Sequence, residues 1–330
     1  MSTGAIGGYF ELELPRTGTS VHPGAYRFQS ARVAFLALLR SARPARVWMP
    51  LYLCDTMYAP LREAGVVCMP YSIDARFDIA TEIVLHEKDW IYYVNYFGLR
   101  DSYVDSLLER FGPKHVVVDN CQAFFSSPRD CIATIYSPRK FFGVPDGGLL
   151  LTTLPIEMPT QRDMDSLRRA SYLLERLAST PEAGYASYKL AEDSLEQAME
   201  PRRMSQLTES LLATMDLDRA RRQRSENFAV LHTRLGELNG CVFEEGVTNG
   251  PLCYPLLVEA PGLREHLIAS RIFVATYWPD VLKRVNERTI EAKLTKNLLP
   301  LPCDQRYVQE DMERIVETCV SFLSNRSSNQ

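Results

Sequence analysis

The sequence predicts an α/β fold: a large domain with a mainly parallel sheet over residues 1–238, then a small α+β domain over residues 239–330. Three observations carry this expectation. Apolar strand-like runs alternate with helical periodicity from Ser30 to Thr153, which implies parallel strands covered by helices on both faces. From Arg162 to about Leu238 the pattern is nearly all helix. Beyond Gly240, short strand-like runs and helices mix.

The elements follow in order. "SARVAFLALLRSA" (30–42) has helical spacing, with Ser30 placed as its N-cap. "RVWMP" reads as a short strand, "CDTMYAPLREAG" as a helix interrupted at Pro60 and ended by Gly65, and "VVCMPY" as a strand. "DWIYYVNYFG" is a buried strand ending at Gly98. "DSYVDSLLERFG" is a helix bounded by Asp101 and Gly112. "KHVVVDN", "CIATIYS" and "GGLLLTT" are three further strands. The stretch "LTESLLATMDLDRARRQRSENFAVLHTRLGEL" is the longest helical pattern. Its run "RARRQR" reads as a solvated helix face, because Asp216, Asp218 and Glu226 are interleaved with it. In the last part, "CYPLLVE" and "RIFVATY" read as strands, "PGLREHLIAS" and "QEDMERIVETCVSFL" as helices, and "SNRSSNQ" as a frayed tail.

Bulk composition excludes several classes. At 46% hydrophobic and 24% charged residues, the chain has the make-up of an ordinary globular protein. A net charge of −4 argues against nucleic acid or an anionic membrane as the main partner. No apolar run approaches the length of a bilayer span. The eight cysteines form no C-x-x-C and the five histidines no ligand spacing, so no metal site is expected. "MSTGAIGGYFELELP" lacks the basic start and apolar core of a secretory signal, and the expectation is a cytoplasmic protein with reduced thiols.

The chemistry gathers around "SPRKFFGVPDGG". Lys140 stands just past the apolar run "CIATIY", and Asp119 ends the apolar strand "VVVD". Ligands of parallel sheets bind just beyond the carboxyl ends of the strands. A buried carboxylate needs a cationic or hydrogen-bonding partner. Asp119 and Lys140 could pair with one another, or both could contact one ligand from opposite ends. Pyridoxal phosphate (PLP) meets the second requirement. An amine forms a Schiff base with its aldehyde, and an acid keeps its ring nitrogen protonated. Gln122 would then reach the ring hydroxyl or back the ring. The phosphate needs donors, which a helix N-terminus supplies: Gln29, Ser30 and Ala31 open the first helix, and Ser137 is a second hydroxyl. The glycines of the PDGG turn allow backbone to approach closely.

"VVVDNCQAFF" followed by "YSPRKFFGVPDGGLLLTT" resembles the core of the DegT/StrS-type sugar aminotransferases, fold type I PLP enzymes of the aspartate aminotransferase superfamily. "QSARVAFLALL", "VWMPLYLCDTMYAPLREAGV", "VNYFGL" and "RMSQLTESLLATMDLDRARRQRSENFAVLHTRL" extend the resemblance over most of the chain, and "FVATYWP" and "LLPLPCDQRYVQEDMERIVETC" carry it into the small domain. The resemblance implies Lys140 as the Schiff-base lysine, Asp119 as the pyridinium partner, Gln122 in the place of the family's His or Gln, and Ser137 and Ser30 on the phosphate. Cys54 stands where the family stacks an aromatic on the ring, with Tyr52 two residues earlier. The phosphate loop reads Gln29-Ser30-Ala31-Arg32 instead of a Gly-Thr or Gly-Ser motif. Ser137 lies three residues before the lysine instead of five. Where the family sends an asparagine into a neighbouring subunit, the chain reads "MEPRRM", which nominates Arg202 or Arg203.

The implied activity is transfer of an amino group from an amino acid, glutamate by resemblance, to a keto-sugar linked to a nucleotide. The setting would be amino-sugar or polysaccharide (lipopolysaccharide) biosynthesis, by a homodimer with a seven-stranded large domain. Tyr96 and Trp278 admit either a substrate contact or ordinary packing. Another PLP reaction, a lyase or racemase, and a scaffold without turnover remain open. The family's dehydratase branch replaces the lysine with histidine, which Lys140 argues against.

Overall fold

In the computed structural model, residues 9–15, 22–243 and 248–327 are described. A seven-stranded sheet forms the centre, in the order β1-β7-β6-β5-β4-β2-β3. Its strands are β1 (Tyr26–Phe28), β2 (Arg46–Pro50), β3 (Val67–Tyr71), β4 (Asp89–Val94), β5 (Val116–Asp119), β6 (Ala133–Tyr136) and β7 (Gly148–Leu151). β3, β2, β4, β5 and β6 pair in parallel, whereas β7 runs antiparallel to both β6 and β1. β4 and β5 are buried along their whole length, which explains their unbroken apolar reading. Register places Asp119 beside Val94 on one side and Ile135 on the other, so the carboxyl ends of β4, β5 and β6 lie level.

Helix α1 (Ala31–Ala42) packs on the sheet, with the Phe35 and Tyr92 ring centroids 4.6 Å apart. Ser30 caps it by accepting from the Val33 amide. The expected helix over "CDTMYAPLREAG" divides into a short turn at Asp55–Met57 and α2 (Ala59–Ala64). Helix α3 (Asp101–Phe111) turns Val104 and Leu107 inward.

The helical middle is α4 (Ser166–Arg169), α5 (Ser171–Ala178), α6 (Tyr185–Gln197), α7 (Gln206–Leu212) and α8 (Leu217–Leu235). It is not continuous. Residues 202–204 are extended, the Gln29 and Met204 amides donating to the Arg202 and Arg27 carbonyls respectively. Asp216 breaks α7 from α8 by capping the Arg219 amide.

Beyond α8 lie β8 (Tyr254–Leu257) and β9 (Leu298–Leu301), an antiparallel pair, with α9 (Leu263–Ala269), α10 (Ile290–Asn297) and α11 (Gln309–Ser327). Phe228, Leu231 and Leu235 of α8 join Leu263, Leu267, Leu299, Met312, Ile315 and Cys319 in a second apolar cluster. "RIFVATY" is not a strand. Ile272 and Val274 are buried and Phe273 exposed, as in a strand, but among the described residues no strand pairs with it and the Ala275 carbonyl instead accepts from Arg264. β1 and β9 were not anticipated, being only three and four residues long. The expected frayed tail is helical through Ser327; residues 328–330 lie outside the described part. Among the described residues, no helix is long and apolar enough to cross a membrane, no group of His, Cys, Asp and Glu could hold a metal ion, and the eight cysteines are free.

Candidate active site

Asp119 ends β5 and is only 4% exposed. The Cys121 amide donates to its Oδ1 at 2.8 Å, and no cation reaches salt-bridge distance among the described residues. Tyr92 points to the same place from β4. Burial and then the Asp119 charge push its phenol well above the usual range, so it is a proton donor, and its hydroxyl lies beside the Asp119 carboxylate without reaching full hydrogen-bond geometry. A carboxylate without a cation and a phenol that faces it thus lie together at the end of the strand. Gln122 is also buried. Its Oε1 accepts from the Phe97 amide at 2.9 Å, while its Nε2 makes no hydrogen bond to a described residue.

Lys140 closes the single turn Pro138–Lys140 that follows β6. It is exposed and has no hydrogen-bond or ion-pair partner among the described residues. It is close enough to lower the Cys121 thiol, which burial and Asp119 push up. Cys54, half-buried, acts on Cys121, Tyr92 and Arg32 alike. Asp119, Cys121, Cys54 and Lys140 therefore form one electrostatic neighbourhood. Asp119 and Lys140 are not ion-paired with each other.

The PDGG turn explains its own composition. Gly147 has φ +130°, and an added Cβ would come within 2.7 Å of the Pro138 ring; its amide donates to the Gln29 carbonyl at 2.7 Å. A Cβ on Gly148 would overlap the backbone of Ser30 and Ala31. The glycines thus bring β7 against the N-terminus of α1. Asp146 is buried and accepts from the Ser205 amide at 2.8 Å, the Ser205 hydroxyl at 2.7 Å and the Thr208 hydroxyl, tying the turn to the start of α7.

At the start of α1, Ser30 is engaged as the cap; the parallel bridge between Ser30 and Gly147 turns the Ala31 N–H toward the Gly147 carbonyl, and the Arg32 N–H makes no backbone hydrogen bond to a described residue. The Gln29 side chain is engaged too, donating to the Glu200 carbonyl at 2.6 Å and accepting from the Arg202 amide at 2.8 Å. Ser137 is buried, and its hydroxyl makes no hydrogen bond to a described residue.

Several expected residues lie elsewhere. Tyr96 is fully buried and its hydroxyl donates to the Tyr52 carbonyl at 2.8 Å, so it packs the core and presents nothing to a substrate. Tyr52 is equally buried, and its hydroxyl reaches the Tyr277 carbonyl at 3.3 Å. Trp278 packs edge-on against Tyr52 at 4.9 Å and remains half-buried. Arg202 pairs with Asp165 of its own chain at 3.1 Å, and Arg203 is exposed.

Sequence reasoning missed Tyr92, Arg32, Arg139 and Arg224. Arg32 had a signal: an arginine in the first turn of an otherwise apolar helix. Arg224 had none, because it lies in "RARRQR", whose other arginines are exposed. It is 2% exposed, and together with Gln305 it holds the carbonyl of Phe141, the residue after Lys140.

No family model and no curated protein matches the chain. Solved structures do. A DegT DnrJ EryC1 StrS aminotransferase from Brucella abortus superposes with a TM-score of 0.61 at 14% identity, over 90% of this chain and 85% of that one. The fold is that of the DegT/StrS aminotransferases. The sugar aminotransferase CalS13 from Micromonospora echinospora gives 0.61 at 15% identity, covering 90% of this chain and 87% of that one. A Streptococcus pneumoniae protein described as a sugar aminotransferase, in its PLP form, gives 0.65 at 15% identity, covering 92% and 88%. The fold type I architecture expected from the sequence is therefore borne out, with its antiparallel β7 between β6 and β1.

Proposed function

We propose that the chain is a PLP-dependent aminotransferase acting on a keto-sugar. The observation that carries this reading is that Asp119 and Lys140, beyond the ends of the neighbouring strands β5 and β6, both act on the buried Cys121 while neither has a counter-ion among the described residues. PLP fits what is missing there. Asp119 lacks a cation, the Gln122 Nε2 and the Arg32 amide are donors without a partner among the described residues, and Lys140 is an amine without one there. When bound, PLP supplies an electrophilic aldehyde and a protonated ring that withdraws electrons from the substrate α-carbon.

The residues would then divide the work. Asp119, dry and held by the Cys121 amide, would keep a proton on the ring nitrogen. Gln122, pinned through Oε1, would offer Nε2 to the ring hydroxyl. Lys140, on a short turn and free of partners, carries protons at Nζ. Its exposure in the single chain supports a homodimer in which a second subunit covers the site and excludes water. The division into a large domain to residue 238 and a small domain beyond it, the cytoplasmic setting and a place in polysaccharide biosynthesis belong to the same proposal.

The sugar rests on the descriptions of the structural neighbours. Aromatic residues add little to it, since Tyr52, Tyr96 and Phe97 are fully buried, while Tyr58, Tyr277 and Trp278 are half-buried. The test is to treat the PLP-loaded enzyme with glutamate, isolate the aminated form, and offer nucleotide-linked keto-sugars beside simple keto acids. Discharge by the sugars supports the proposal. Discharge by keto acids alone removes the sugar and leaves the aminotransferase.

A further inference from the structure

We propose that the Arg32 guanidinium is the charged ligand of a phosphate monoester, supplied by the same chain that carries Lys140. This rests on the PLP reading above, whose phosphate is the monoester in question.

The start of α1 offers the Arg32 backbone N–H, which makes no backbone hydrogen bond to a described residue, and the positive end of a 12-residue helix. Arg32 is 7% exposed, and its Nε is buried with no hydrogen-bond partner. Only its Nη2 is engaged, donating to the Leu195 carbonyl at 2.6 Å. No carboxylate comes within salt-bridge distance among the described residues; Glu196 acts on it only from farther away. A guanidinium removed from water without an anion is costly, and natural proteins pair such groups.

A second cation raises that cost. Arg139, next to Lys140, acts on Arg32 as a like charge, and its own Nε is also buried without a partner. Its ion pair is with Glu192. Arg32 thus lies buried in the first turn of a helix, with a second cation acting on it and no carboxylate within salt-bridge distance among the described residues. A dianion matches that arrangement, and a planar guanidinium suits phosphate oxygens. The alternatives are weaker: Ser137 brings no charge, and Arg202 is paired with Asp165. Arg32 makes a cation from a second subunit unnecessary at this position.

The rival role for Arg32 is a strap between α1 and α6 through Leu195. The experiment uses the full chain as wild type, Arg32→Met and Arg32→Lys. Affinities for PLP and for pyridoxal, which lacks the phosphate, are read by absorbance titration, and melting temperature is read with and without inorganic phosphate. The expected result for Arg32→Met is PLP binding weaker by about 10- to 100-fold, the scale of a charge-assisted hydrogen bond, with pyridoxal binding unchanged. Its melting temperature without ligand holds or rises, because an unpaired buried charge is gone, and the gain from phosphate disappears. Arg32→Lys falls between, since an ammonium keeps charge but not the fork. Equal weakening toward PLP and pyridoxal, or no change toward either, overturns the proposal. So does an undiminished phosphate gain in Arg32→Met. Should that variant not fold, a wild-type PLP-to-pyridoxal ratio in Arg32→Lys overturns it equally. If wild type takes neither PLP nor pyridoxal but keeps an Arg32-dependent gain from phosphate, the anion site stands and the cofactor reading falls.

Discussion

Arg224→Ala is a severe test of how the site is held. Arg224 Nη1 donates to the Pro251 and Leu252 carbonyls at 3.0 and 3.2 Å, Nη2 to the Phe141 carbonyl at 3.3 Å, and Nε to Gln305 Oε1 at 2.7 Å. Its guanidinium also covers the Phe141 ring at 4.5 Å. Truncation leaves the Phe141 carbonyl with Gln305 Nε2, but strips the Pro251 and Leu252 carbonyls of this donor. Each buried acceptor left unmade costs about 1–3 kcal/mol. The void adds to that, and release from desolvating a cation offsets part of it. The expected net loss is about 3–4 kcal/mol, read as a lower midpoint in urea at unchanged slope. Arg224→Lys should recover little, because one ammonium cannot reach acceptors spread over several segments. A loss below about 1 kcal/mol for Arg224→Ala would show that these carbonyls find water or other donors, and that the strap between α8 and the Lys140 turn is dispensable.

Two further outcomes follow from the geometry. Gly148→Ala forces a Cβ into the backbone of Ser30 and Ala31, and should cost about 3 kcal/mol or more, the upper range for overpacking, with PLP affinity falling alongside stability; a variant as stable as wild type would mean that β7 does not press on α1. His22 stacks on Tyr136 at 3.8 Å and bonds the Phe124 carbonyl at 2.9 Å; burial holds its pKa below 6.5, with Arg27 adding to the effect and the carbonyl opposing it. The unfolded chain therefore binds a proton at His22 before the folded one does, and stability present above pH about 6.5 is lost as pH falls toward the lower folded value. His22→Phe should flatten that slope by up to about 1.4 kcal/mol per pH unit, and an unchanged slope in denaturation between pH 7 and 5 would assign the effect elsewhere.

Much of this was legible in the chain, and the reasons differ by residue. Asp119 was visible because a carboxylate at the end of "VVVD" contradicts its apolar run, and Lys140 because charge followed "CIATIY" at the next strand end. The PDGG turn announced a close approach, though not that Asp146 would bind the start of α7. Aromatic residues misled: tyrosine suits both a core and a binding surface, and nothing local distinguishes Tyr96, whose hydroxyl finds a backbone carbonyl inside. Arg224 was hidden by its neighbours, since only a helix's packing decides which arginine of a run faces inward. "RIFVATY" has strand composition without a partner, and pairing is a tertiary fact.

The central claim is that Lys140 is the lysine that takes PLP. Incubating the protein with PLP, reducing with borohydride and mapping peptides by mass spectrometry tests it directly. The expected result is one pyridoxyl group, on Lys140, and its loss in Lys140→Ala. A label on another lysine, or no label under conditions where the protein is folded, would contradict it.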